Sequence, residues 1–194
     1  MIPAAFDYKV AESAEQAISL LGEYGDESKL LAGGHSLIPM MKFRLAAPTV
    51  LIDVGRISDL SYIREADGHL AIGAMTKHVE VETSDMVAQH APMLAYVAAL
   101  VGDPSVRHRG TLGGTLAHSD PASDLPAAVL ALGGTIVAQG PNGTRVIAAN
   151  EFFTGYFESV LAADEMITEV RIPTGTGGWN YQKFNRRAQD WAIV

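Results

Sequence analysis

Two short glycine-paired segments constrain this chain more than any other feature: Ala32-Gly33-Gly34-His35-Ser36 and Thr111-Leu112-Gly113-Gly114-Thr115. The first follows an apolar run, Lys29-Leu30-Leu31-Ala32, and opens an amphipathic stretch reaching Met40 and Met41, which reads as strand, glycine turn and helix start. A glycine pair permits dihedral angles that a β-carbon disfavours and lets another group come close to the backbone, so successive N–H groups can be turned on an anion. Ser36, Thr111 and Thr115 add hydroxyl donors. One such pair is an ordinary tight-turn signal, but two in one chain weaken that reading and favour an anion-binding role. About four charge-assisted hydrogen bonds at roughly 1.5 to 3 kcal/mol each bracket the about 8.2 kcal/mol that micromolar binding requires, with no lysine needed in either segment. Neither segment is a G-x-G-x-x-G fingerprint or a Walker loop, which removes the main support for nicotinamide-dinucleotide and P-loop readings.

The surrounding elements are short. Ser13 and Gln16 form a capping box ahead of Ala14, Ala17, Ile18 and Leu21, one face of a helix that Gly22 and Gly25 end. Residues 50–54 and 70–74 read as buried strands, the second followed by Thr76 as a helix cap. Residues 91–101 form a buried helix stopped at Gly102-Asp103-Pro104, and a further helix runs from Pro126 until Gly133 stops it. Residues 135–138 and 145–148 flank Pro141-Asn142-Gly143, a hairpin whose Asn-Gly step supplies positive φ angles, and residues 166–172 make one more strand. Phe152, Phe153, Tyr156 and Phe157 are spaced as a helix's core face. Residues 174–178 read as a flexible joint, and 179–194 begin a strand-like pattern. Short strands between short helices give an α+β layering.

The 194 residues carry 22 acidic and 14 basic side chains, a net charge of -8, the wrong sign for a polyanion partner; nucleic acid is excluded. The absence of cysteine excludes disulfides, thiol nucleophiles, thiolate zinc sites and an iron–sulfur cluster on this chain's own thiolates. Redox chemistry here requires a bound organic cofactor or a partner. No Ser-His-Asp arrangement, carboxylate pair or H-E-x-x-H motif emerges, so no catalytic residue is assigned. No metal ligand is assigned either: His118, Asp120 and Asp124 match no converging ligand set, and the carboxylates read as helix caps. Arg107, His108 and Arg109 either offset phosphate charge or sit solvated. The opening residues show no secretory signal, and the longest uncharged stretch is broken by Gly133-Gly134 and by residues 141–143 into pieces too short for a bilayer. A cytoplasmic location, extending to the inner face of the membrane, is expected.

The paired glycine segments, with Asp120-Pro121-Ala122-Ser123-Asp124 downstream, resemble the FAD-binding medium subunit of molybdenum hydroxylases, nearest to the aerobic carbon monoxide dehydrogenase type. The resemblance covers essentially the whole chain, as far as Lys183-Phe184-Asn185-Arg186-Arg187. It implies a two-lobed α+β FAD-binding domain of the vanillyl-alcohol-oxidase (PCMH) type over residues 1–175, the first lobe being roughly residues 1–55. Residues 176–194 are then a joint and the start of a truncated C-terminal domain. It further implies non-covalent FAD, with Ala32, Gly33, Gly34, His35 and Ser36 and Thr111, Leu112, Gly113, Gly114 and Thr115 as the phosphate loops. By the same resemblance Asp124 is a ribose- or adenine-side contact, Val101 an apolar contact, Ile167 and Lys183 later contacts, and Trp191 a stacking partner for the flavin ring. His35 is expected to shape its loop rather than to be joined to the flavin. The implied partners are a large molybdenum-binding subunit and a small iron–sulfur subunit, in a dimer of heterotrimers; the molybdenum cofactor and the clusters are expected only on those partners. Electrons would then pass through FAD to a quinone or other acceptor. Two other readings stand beside it: a stand-alone small FAD-dependent oxidoreductase, and a flavin-free scaffold subunit.

Overall fold

The computed structural model describes residues 2–175 and 177–194. A small first unit contains β1 (Asp7–Val10), α1 (Ala14–Tyr24), β2 (Ser28–Leu31), α2 (Leu37–Lys42) and β3 (Val50–Asp53). Its three strands are parallel, in the order β1-β3-β2, and α2 is the crossover that parallel pairing of β2 with β3 demands. The Ser13 hydroxyl starts α1 by accepting the Gln16 amide at 3.1 Å, while the Gln16 side chain takes the Glu12 amide at 2.7 Å. Gly25, at φ +52°, ends the helix; Gly22 stays inside it. Ala14, Ala17, Ile18 and Leu21 then pack on Val50, Ile52 and Val54.

The second unit opens with β4 (Ile63–Ala66) and β5 (His69–Gly73) and continues through six helices. These are α3 (His78–Thr83), α4 (Asp85–His90), α5 (Pro92–Leu100), α6 (Pro104–Arg107), α7 (Leu112–His118) and α8 (Asp124–Ala131). The chain returns through β6 (Thr135–Gly140), β7 (Gly143–Ala148), α9 (Ala149–Phe152), the short pair β8 (Phe153–Gly155) and β9 (Glu158–Ser159), and β10 (Met166–Pro173). An antiparallel sheet in the order β4-β5-β10-β6-β7 results, with the last long strand at its centre. Leu70, Ile72, Val170 and Ile172 of this sheet share a core with Leu94, Val97 and Ala98 of α5 and with Leu112 and Leu116 of α7. Neighbouring residues of a strand face opposite ways, and β10 uses this to tie the units together: Met166 belongs to the small core and Ile167 to the large one.

Several sequence expectations are corrected. Thr76 does not cap α3, because its hydroxyl is taken by Tyr62, donating to the carbonyl at 3.0 Å and accepting from the amide at 3.2 Å. The cap is Lys77, whose amide donates to Glu80 at 2.7 Å. In the β6–β7 hairpin only Gly143 takes a positive φ; Pro141 and Asn142 make the turn without one. The four aromatics do not share a helical face: α9 stops at the buried Phe152, Phe153 opens β8, and Tyr156 and Phe157 are exposed. Thr154 and Gly155 are poor helix formers and let the chain leave the helix there. Residues 179–194 are not a strand but fold back on themselves, the Phe184 amide donating to Val194 at 2.9 Å and the Ile193 amide to Phe184 at 2.8 Å. Of the joint expected at 174–178, Thr176 lies outside the described residues.

Candidate cofactor-binding site

Where the two units meet, a cleft of about 680 Å³ opens, a size that small-molecule and cofactor sites have. Ala32, Gly33, Gly34, His35 and Ser36, on the turn from β2 to α2, form one side. Thr111, Gly113, Gly114 and Thr115, at the start of α7, form the other, and Val101, Asp124, Ile167, Lys183 and Trp191 are also among the lining residues. Leu112 does not line it: its side chain is buried in the larger core, and its amide donates to Thr76 at 2.9 Å.

The two glycine pairs do different work. Gly34 sits at φ +75°, a conformation that only glycine adopts freely. Gly33 is needed for closeness, since a β-carbon there would stand 2.2 Å from the Arg109 carbonyl oxygen. The turn thereby lies directly against the chain leading into α7. Among the described residues, the amides of Gly33, Gly34, His35 and Ser36 find no acceptor, and the Ser36 hydroxyl does not cap α2. Consecutive free N–H groups at the rim of a cleft make an anion nest.

The second pair is not a loop, which corrects the expectation that its amides are aimed at an anion. It is the first turn of α7, capped by Thr111, whose hydroxyl accepts the Gly114 amide at 3.2 Å. The Gly113 amide goes to Ala74 at 2.8 Å and that of Thr115 to the Thr111 carbonyl at 3.1 Å. Here glycine serves close packing alone, because a β-carbon on Gly113 would lie 2.6 Å from that of Ala74. The segment offers the cleft the Thr115 side chain and the bare surface of Gly114 rather than a row of donors.

At another part of the cleft, Asp124 and Lys183 are each other's partner. The carboxylate and the ammonium meet at 2.8 Å, each side chain only 6% exposed, so Asp124 does not act as a helix cap. Tyr181 donates its hydroxyl to Asp124 at 3.2 Å, and Lys183 also donates to the Leu100 carbonyl at 3.2 Å. Burial, then the neighbouring Asp124 charge, pushes the Tyr181 phenol above its ordinary range. This cluster fastens the C-terminal stretch to α5 and α8, and Gln189 packs so closely on Gly102 that a β-carbon there would lie 2.6 Å from its carbonyl oxygen. Trp191 follows, at the cleft and 61% exposed.

Asp120 accepts the Ala122 amide at 2.9 Å, and His118 lies against Phe157 with ring centroids 5.2 Å apart. No group of residues suited to holding a metal ion is found among the described residues. Arg107 is spoken for: it pairs with Glu82 at 2.7 Å and donates to the Val101 carbonyl at 2.7 Å. His108 contacts the Pro104 carbonyl at 2.7 Å, and Arg109 is exposed. None of these three lines the cleft.

Sequence reasoning passed over His78. It begins α3, is 4% exposed, and lines the cleft with its Nδ1 buried and unpartnered. Burial, with smaller contributions from His35 and Arg107, pushes its imidazole down to about 4. The available signal was a lone histidine just beyond a buried strand, too common a feature to single out.

Residues 4–175 match the family model described as the FAD binding domain in molybdopterin dehydrogenase. The chain is 46% identical over 197 residues to the carbon monoxide dehydrogenase medium chain of Hydrogenophaga pseudoflava, covering 100% of this chain and 68% of that one. Among solved structures, it matches the Hydrogenophaga pseudoflava carbon monoxide dehydrogenase that lacks the Mo-pyranopterin moiety of the molybdenum cofactor. The TM-score is 0.97 at 45% identity, covering 99% of this chain and 68% of that one. Quinoline 2-oxidoreductase from Pseudomonas putida 86 matches with a TM-score of 0.96 at 35% identity, over 100% of this chain and 67% of that one. The chain thus spans about two thirds of the length of these relatives.

Proposed function

Because the chain belongs to the family of FAD-binding domains in molybdopterin dehydrogenases, we propose that it holds FAD non-covalently in its cleft and serves as the electron-transfer subunit of a molybdenum hydroxylase. The fold is the two-lobed α+β FAD-binding type, related to the vanillyl-alcohol-oxidase (PCMH) architecture. The observation that carries the cofactor reading is the run of free amides from Gly33 to Ser36 at the cleft. Those amides, with the Ser36 and Thr115 hydroxyls, would take the oxygens of the pyrophosphate, a charge-assisted grip of the kind that dominates dinucleotide affinity. Val101 and Ile167 supply apolar walls, and the exposed Trp191 ring is available to stack on the flavin. Asp124 and Lys183, already paired, would meet the adenosine side as a unit. When bound, the flavin supplies one- and two-electron transfer.

The relatives are named for carbon monoxide and for quinoline, and the name of the first of these structures includes a molybdenum cofactor. That kinship supports a large molybdenum-binding subunit and a small iron–sulfur subunit as partners of this chain, and the assembly we propose for them is a dimer of heterotrimers. A chain without cysteine leaves the clusters to the partners' thiolates. The substrate is oxidised on the large subunit, and the electrons leave this chain for a quinone or other acceptor. Residues 1–175 are taken as the FAD-binding domain, a span that the family match over 4–175 supports, with the first lobe roughly residues 1–55, and the stretch carrying Tyr181 and Lys183 packs back on α5 and α8. The complex works in the cytoplasm, extending to the inner face of the membrane; among the described residues no helix is long and apolar enough to cross a membrane.

Purified protein is expected to show flavin absorbance bands and to release its FAD on acid precipitation. Yellow fluorescence that stays with the chain through denaturing electrophoresis would instead indicate a covalent link, with His35 as the residue to examine. Turnover without partner subunits would favour the stand-alone oxidoreductase, and a colourless chain that takes up no FAD would favour the scaffold.

A further inference from the structure

His78 is a buried titratable group that the cofactor reading leaves unused. Its amide donates to the Gly110 carbonyl at 3.0 Å, and its ring occupies the space beside Gly110, where an added β-carbon would lie 2.7 Å from Cδ2 and Nε2. One residue earlier, the Arg109 carbonyl is the group on which Gly33 rests. The ring therefore stands next to the contact between the glycine turn and the chain entering α7, and it lines the cleft. A neutral imidazole carries one proton. Placed on Nδ1, which is buried without a partner, that proton would be an unsatisfied buried donor. It belongs on Nε2. Among the described residues Nε2 has no hydrogen-bond partner, and Nδ1 is the ring nitrogen sealed from solvent. No carboxylate compensates a charge on the ring: Glu80, on the same helix, is engaged by the Lys77 amide, and Glu82 by Arg107. His35 and Arg107 are the other basic groups acting on it.

We propose that His78, as its Nε2–H tautomer, donates to a phosphate oxygen of the dinucleotide held at the Gly33–Ser36 turn, completing the grip from the side of α3. This rests on the FAD reading and adds a contact that neither glycine segment provides. A buried ring with a depressed pKa stays a single-proton donor in the free protein at neutral pH, so its tautomer is set before the cofactor arrives.

The test uses the full chain labelled with 15N-histidine, observed by long-range 1H–15N NMR with and without FAD. FAD dissociation constants for His78→Gln and His78→Phe accompany it. The free protein is expected to show His78 protonated at Nε2 and bare at Nδ1, and FAD should shift the Nε2 resonance. His78→Phe fills the space without a donor and should weaken FAD binding about tenfold, whereas His78→Gln keeps an amide donor and should stay within about threefold, the tenfold step being the loss of one hydrogen bond. An Nδ1–H tautomer, an Nε2 resonance undisturbed at FAD saturation, or equal losses in both variants would overturn the proposal. The NMR arms need no variant, so a Phe form that fails to fold leaves the test decisive. A wild type that takes up FAD with His78 undisturbed sinks this assignment alone; one that takes up no FAD sinks the cofactor reading with it.

Discussion

At Gly33 one methyl group decides whether the cleft keeps its two walls together. In Gly33→Ala the new carbon would stand 2.2 Å from a backbone oxygen, which cannot swing aside as a side chain would, so the glycine turn must lift off the chain entering α7. The expected result is FAD affinity weakened at least about tenfold and a stability loss of about 1 to 3 kcal/mol, read by titration and by thermal unfolding. Gly22→Ala is the contrasting case. It sits inside α1 with open space around it, and should raise stability by about 0.5 to 1 kcal/mol while leaving FAD binding unchanged. His78 sets a pH dependence with a definite sign. Its pKa is about 4 folded, against an ordinary value of 6.5, so between these values the unfolded chain binds the proton that the folded chain refuses. Stability is complete above pH 6.5 and falls as the pH drops toward 4, by about 3 kcal/mol in all. Urea unfolding at pH 7 and pH 4.5 should show the loss in the wild type and a smaller one in His78→Gln.

Among the elements, the C-terminal stretch and α8 depend on each other through a buried pair. Lys183→Met leaves the Asp124 charge buried without its cation, with only the Tyr181 hydroxyl on it, and should cost about 3 to 5 kcal/mol. Trypsin cutting at Arg186 and Arg187 should then speed up relative to the wild type. Replacing both partners, Asp124→Leu with Lys183→Met, should cost less than the single change, since no lone buried charge remains. The turn from β2 to α2, helix α5, the β6–β7 hairpin and β10 were legible in the sequence because glycine punctuation and apolar periodicity act locally. Of α3 only the start was legible, placed one residue early at Thr76, and α4 and α6 were not legible, being six and four residues long and too brief to show a period. The second glycine pair was recognised but misread, because the residue letter does not tell a glycine needed for positive φ from one needed for close approach, as Gly113 is to Ala74. The link from Tyr181 and Lys183 to Asp124 spans 57 and 59 residues, and His78 gains its role only when α3 is laid beside Gly110. Contacts of that range leave no local trace.

On the scale of the whole molecule, the cleft is a seam between two cores that β10 stitches together through Met166 and Ile167. A ligand filling that seam touches both units, so it should stabilise them jointly, as one cooperative transition. At a free FAD concentration of about 100 times the dissociation constant the gain is about 2.7 kcal/mol, which for a domain of this size is a rise in Tm of about 5 to 11 °C. Separate transitions, only one of them moved by FAD, would mean that the ligand sits on a single unit. The most direct measurement of the central claim is equilibrium dialysis of the chain and of Gly33→Ala against FAD. One dissociable FAD bound per wild-type chain, with binding at least about tenfold weaker in the variant, is the result predicted by a nest built on this turn. No uptake by the wild type, or equal uptake by the two proteins, would contradict it.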